Sequence, residues 1–185
     1  MAGLTFPLQQ CSRLAEPNLL NKANNTCFVL DLDRFRVTGA FFVREMGWWC
    51  LHEPNRGGSY QYLPKIPYRR LSQQDKRTVH YVQRHVHGLS YNPPASARPH
   101  HCLRMDVKKL YDTYKTPTRT YVAYKGGTLE KDLLDRLNIP CWNLEEAGCP
   151  KFERLARLGT VSSFYVTIAL VSSVIILYSG YVVTS

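Results

Sequence analysis

Apolar and polar positions follow two periods along this chain, and the period switches where the elements change. Residues 27–32, Cys-Phe-Val-Leu-Asp-Leu, make a short β-prone run of the kind a buried central strand carries. After a turn at Val37, Thr38 and Gly39, the Phe, Val and Trp content of residues 40–51 predicts a second strand, paired with the first as a hairpin. Residues 55–58, Asn-Arg-Gly-Gly, read as the next turn, and residues 60–63 as a third strand broken by Pro64 and Pro67. Helical spacing then takes over. Ser72 with Asp75 three positions on forms a capping pattern, and Val79, Val82 and Val86 share one face of the helix it opens. Pro93, Pro94 and Pro99 force a loop, after which Asp106 is placed to cap a helix burying Val107, Leu110, Tyr111 and Tyr114. A strand over 120–124, a Lys125-Gly-Gly turn, a helix carrying Leu129, Leu133, Leu134 and Leu137 up to Asn138, and a strand over 141–144 complete the order. Strands first and alternation afterwards imply an α/β fold, a mixed sheet flanked by helices. Residues 1–24 keep no period and read as an irregular lead-in.

The pattern changes again near the C-terminus. Residues 158–185 carry no charged side chain, and residues 164–183, opening at Phe164 and closing at Val183, are long enough as a helix to cross a hydrocarbon core of about 30 Å. Tyr165, Tyr178 and Tyr181 suit its two interfaces. Lys151, Arg154 and Arg157 precede the segment and no charge follows it, so the expected arrangement is a single-pass tail anchor with the N-terminal domain cytoplasmic. This divides the chain into a lead-in (1–24), a folded domain (25–158) and a transmembrane segment (159–185). The six cysteines show no C-x-x-C pair and read as thiols in a reducing compartment.

Charge adds a class of partner. Lys and Arg number 24 against 14 Asp and Glu, a formal net charge of +10, which favours an anionic surface. The cations fall in groups: Arg34 and Arg36; Arg69, Arg70, Lys76 and Arg77; Arg98, Arg104, Lys108 and Lys109; Lys115, Arg119 and Lys125. Tyr60, Tyr62, Tyr68, Tyr81, Tyr91 and Tyr124 lie among them, a mixture suited to phosphate contact with base stacking and equally to an anionic membrane leaflet. His85, His101 and Cys102 have metal-ligand chemistry, but the flanking Arg84, Arg98 and Arg104 suit a solvated basic face better.

The sharpest local signal is Asp31-Leu-Asp33 on the first strand. Alternation puts both carboxylates on one side, where they oppose each other's ionisation unless a cation compensates, so such pairs often hold Mg²⁺. Acidic residues at strand ends also serve as turn formers and caps. At this point the chain resembles the DnaQ-like, RNase H-fold 3′–5′ exonucleases, whose first motif is an acidic pair on strand one, and among them divergent members from invertebrate mobile elements and related viruses. The resemblance runs over roughly residues 25–155, through Phe42-Val-Arg-Glu-Met46, His87-Gly-Leu89, Val122-Ala-Tyr-Lys-Gly126 and Asn143-Leu-Glu-Glu-Ala-Gly-Cys-Pro150. It implies an RNase H-like fold and metal candidates at Asp31 and Asp33. At the second motif Glu130 is the nearest carboxylate, displaced by one residue, with Asp132 as the fallback. Arg34, His87, Tyr124 and Lys125 would contact nucleic acid.

The last motif of that family is a His followed by an Asp, and residues 145–158 contain neither. Two-metal phosphoryl transfer needs about three or four converging carboxylates and a base. The expectation is therefore a fold without hydrolytic activity and without a resident cofactor, acting in binding or scaffolding at a membrane. Its partners are the bilayer, nucleic acid or a membrane protein. The alternative is a tethered Mg²⁺-dependent 3′–5′ nuclease using Asp31, Asp33 and Glu130 or Asp132.

Overall fold

The computed structural model describes residues 17–53 and 55–146. The apolar segment 164–183 lies outside them, and among the described residues no helix is long and apolar enough to cross a membrane. Helix α1 (Pro17–Asn24) occupies part of the expected irregular lead-in. Its last turn leads into β1 (Thr26–Val37), and the Thr26 hydroxyl donates to the Lys22 carbonyl at 2.7 Å. β2 (Ala40–Trp49) returns antiparallel after the turn at Thr38 and Gly39, both at positive φ. β3 (Gly57–Gln61) pairs antiparallel with β2.

Gly57 and Gly58 belong to this strand rather than to the expected turn. A side chain at either would collide with Trp49 or Trp48, whose rings lie across them, so the pair has a packing reason to be glycine. The chain then runs through α2 (Gln73–His85), α3 (Leu103–Tyr114), β4 (Tyr121–Tyr124), α4 (Thr128–Arg136) and β5 (Cys141–Asn143). The sheet order is β3-β2-β1-β4-β5, with β4 parallel to β1 and β5 parallel to β4. This is an α/β architecture with a mixed five-stranded sheet flanked by helices.

Helices cover both faces, because β1 carries large apolar side chains on each of them. On one face Phe28, Leu30 and Leu32 pack with Met46 of β2, Val122 of β4, Val107 and Leu110 of α3, and Leu134 of α4. On the other, Phe35, Val37 and Phe42 pack beneath Val79 of α2 and against Leu71 and Tyr91. Burial of so many large apolar side chains in two clusters is the main stabilising term of the fold. Trp142 of β5 donates through Nε1 to the Thr26 hydroxyl at 2.9 Å, tying the last strand to the first across β4.

Two helix starts differ in kind. Ser72 caps α2 as its spacing implies, accepting the Asp75 amide at 3.0 Å. Asp106 does not cap α3: the helix begins at Leu103 after a 3-10 turn at His100–Cys102, and Asp106 is buried. There its carboxylate takes Arg98 Nη2 at 2.9 Å and the Tyr62 hydroxyl at 3.0 Å. A charge buried with two such partners has its desolvation offset, and it ties the loop before α3 to the residue after β3.

Candidate acidic site at the free edge of the first strand

β1 has twelve residues and β4 only four, with Leu30 opposite Tyr124 as the last pair. Beyond Leu30 the β4 side of β1 is open. The chain fills that edge with the Lys125–Gly127 turn, where Gly126 sits at φ +119°, and with the first turn of α4. Two carboxylates of β1, Asp31 and Asp33, thereby meet Glu130 of α4. Glu45 of β2 completes the group, since the hairpin register sets it directly opposite Asp33.

The electrostatics show the four as one cluster. Burial pushes the Asp31 carboxyl up to about 6, with Lys125 opposing the rise and Glu45 adding to it. Burial first, then the neighbouring charges of Asp31, Glu45 and Glu130, together raise Asp33 to about 7. Glu130 also rises to about 7, chiefly through burial, with Asp31 adding and Arg34 opposing. Mutual repulsion of this kind requires the carboxylates to lie within a few ångströms to about one nanometre of one another in a poorly screened environment.

Other residues hold the cluster in place. Arg44 is an extra residue on β2, created by the register shift between Asp33 and Arg34, and its side chain is almost wholly buried. Its Nε donates to the Ser90 carbonyl at 2.8 Å and its Nη2 to Gln61 Oε1 at 3.2 Å. Gln61 Nε2 in turn donates to Glu45 Oε2 at 2.7 Å. Arg44 and Gln61 therefore fix the orientation of Glu45.

Three buried polar atoms of the cluster and its support lack partners among the described residues: Glu130 Oε2, Lys125 Nζ and Arg44 Nη1. The donor chemistry and the orphaned Glu130 oxygen suit a hard divalent cation. The spacing does not: among the described residues no three His, Cys, Asp or Glu side chains stand close enough to hold one metal ion. The positive charge facing these carboxylates comes from the chain itself, from Lys125 beside Asp31 and Arg34 beside Glu130.

The remaining candidates fall elsewhere. Asp132 is exposed on α4 and lines a cavity with Leu32, on the opposite face of β1 from Asp31 and Asp33. Tyr124 is buried in the main core. His87 is half-buried with its ring edge-on to Phe35 at 4.8 Å, its Nδ1 accepts the Leu89 amide at 3.1 Å, and burial holds its pKa below the usual range. Tyr62 and Tyr91 are also core residues, whereas Tyr68 and Tyr81 are exposed beside Arg69, Arg70, Lys76 and Arg77. Lys76 Nζ lies 5.8 Å from the Tyr68 ring centroid. Cys27, Cys50, Cys102 and Cys141 are free thiols. Comparison with protein-family models, with curated proteins and with solved structures finds no match for the chain.

Proposed function

We propose that this protein is a membrane-tethered nucleic-acid-binding module with an RNase H-like fold of exonuclease descent, in which the old catalytic corner binds rather than hydrolyses. The sheet order, with three antiparallel strands followed by two parallel ones, supports the RNase H-like reading. The apolar segment 164–183 supports the tether. The observation that carries the non-hydrolytic reading is the chain's own cation at the acidic cluster, Lys125 Nζ, buried beside Asp31 with no hydrogen-bond partner among the described residues. Exposed Tyr68 and Tyr81 among the α2 cations supply what a single strand requires, phosphate contacts and faces for stacking.

A second reading, a working Mg²⁺-dependent 3′–5′ nuclease, is favoured by Glu45, which raises the number of converging carboxylates to four. One experiment separates the two. The full chain in phosphatidylcholine nanodiscs is incubated with labelled single-stranded and duplex DNA and RNA, with and without Mg²⁺ or Mn²⁺. Salt-sensitive binding without turnover is expected, weakened by Arg69→Gln with Arg77→Gln. Metal-dependent degradation that disappears in Asp31→Asn with Asp33→Asn would replace this reading with the nuclease. Absence of binding would turn the search to a protein partner.

A further inference from the structure

A cavity of about 750 Å³ opens on the sheet face opposite the acidic cluster, between β1, β2, the start of α3 and α4. Its size lies within the roughly 300–1,000 Å³ of small-molecule sites. The floor is aliphatic, formed by Leu32 and Val43 of the sheet and by Leu103, Leu129 and Leu133 of the helices. Lys65, Arg104 and Arg136 stand around it with one carboxylate, Asp132. Among the described residues none of these three cations is in a salt bridge, although Arg98, Lys108, Lys115 and Lys131 all are.

The lining is as informative for what it lacks. It contains no Ser, Thr, Asn, Gln or Tyr, and its remaining polar side chains are the imidazoles of His100 and His101, the first with a buried Nε2 that has no partner among the described residues. At the mouth Phe41 and Leu63 remain 50% and 42% exposed, which continues the apolar floor outwards. Apolar walls, uncompensated cations and two imidazoles, with no hydroxyl or amide side chain, match a ligand that has an apolar body and an anionic head.

We propose that this cavity binds a single-chain amphiphile with an anionic head, its chain lying over Leu32, Leu103 and Leu133 and its head at Arg104 and Arg136. A nucleotide fits less well, since the many hydrogen-bonding groups of its base and sugar would find only the His100 and His101 imidazoles as partners besides the charged side chains, and groups left unpaired on burial are costly. The site is separate from the acidic cluster and independent of any nucleic-acid binding there.

The test uses the full chain in phosphatidylcholine nanodiscs, a palmitate analogue with a mid-chain diazirine, and mapping of the cross-linked peptides by mass spectrometry. Labelling is expected on the peptides carrying Leu103 and Leu133. Arg104→Gln with Arg136→Gln, both at exposed positions, should lower that labelling roughly tenfold, as expected for loss of charge-assisted contacts. The methyl ester of the probe should label these peptides no better than the double variant does. Competition by palmitate alone would assign a free acyl carboxylate, and competition by lysophosphatidate as well would assign the wider class of single-chain anions. Equal labelling by acid and ester, unchanged labelling in the double variant, or labelling confined to segment 164–183 would overturn the proposal.

Discussion

Phe35 and Val37 lie on the same face of β1 as Asp31 and Asp33, yet the two pairs meet burial in opposite ways. Helix α2 closes over Phe35, Val37 and Phe42, so that half is a plain apolar core. Along the other half the strand outruns β4, and a helix N-terminal turn brings a third acid, Glu130, to its open edge. The first half gains stability from burial. The second loses it, since three carboxyls pushed up to about 6 or 7 are harder to ionise in the folded chain than in the unfolded one. Packing alone would favour an apolar group at these positions, which is what makes the acidic corner the candidate site of the molecule.

Phe35→Ala gives the largest expected effect. The ring is fully buried and touches Phe42, Tyr91 and His87, so its loss should cost about 3–5 kcal/mol by urea denaturation of the full chain. Asp33→Asn, two residues away, should move stability the other way at pH 7.5. A destabilisation by Asp33→Asn comparable to that of Phe35→Ala would break the comparison between the halves.

The acid half should also announce itself in pH dependence. Its carboxyls have folded pKa values above the unfolded ones, so the folded state binds more protons and stability falls as pH rises from about 4 to about 7. Lowering the pH from 7.5 to 5 should therefore bring, from these three groups, a rise in melting temperature on the order of several degrees, while the half-buried His52, His87 and His100, held below their usual range, work in the opposite direction in every variant. The triple variant Asp31→Asn, Asp33→Asn, Glu130→Gln should lose that rise. Retention of the full rise in the triple variant would place its origin outside this cluster.

Asp106 sharpens the contrast, as a carboxylate buried with partners instead of rivals. Tyr62→Phe removes its neutral hydrogen bond and leaves Arg98 in place, with an expected cost of about 1–2 kcal/mol by the same denaturation measurement. A neutral outcome would mean that Arg98 alone satisfies the group.

Much of this arrangement was readable in the chain, and what was not has a local cause. The strands and helices, the Ser72 cap and the side shared by Asp31 and Asp33 follow from period and spacing. Glu45 does not. Counted back from the Val37–Ala40 pair, regular pairing would put Arg44 opposite Asp33; the bulge shifts the register by one and brings Glu45 there instead. Bulges are set by packing, here by the burial of Arg44 against Ser90 and Gln61, and no periodicity reveals them. The residue types of Tyr124 and His87 suit stacking, but strand alternation turns Tyr124 inward and Phe35 packs edge-on against His87. Likewise, Glu130 and Asp132 differ by two positions on one helix, and only the docking of α4 on β1 decides which one reaches Asp31.

The smallest expected effect belongs to Ser72→Ala, and it tests whether the two halves of β1 are independent. The Ser72 hydroxyl accepts the Asp75 amide at 3.0 Å and donates to Asp75 Oδ2 at 2.7 Å, while Asp75 Oδ1 accepts the Thr38 amide at 2.9 Å. The cap thus joins the start of α2 to the β1–β2 turn, where Thr38 holds φ +49°. Its removal should cost about 1 kcal/mol through the uncapped helix, read as a lower melting temperature at pH 7, with Ser72→Asp restoring most of the loss. All of this cost should fall on the aromatic half. The rise in stability between pH 7.5 and 5 should remain, because none of Asp31, Asp33 and Glu130 touches the cap. A Ser72→Ala chain that also lost the pH dependence would show that α2 positions the carboxylates through β1, making the two halves one cooperative unit.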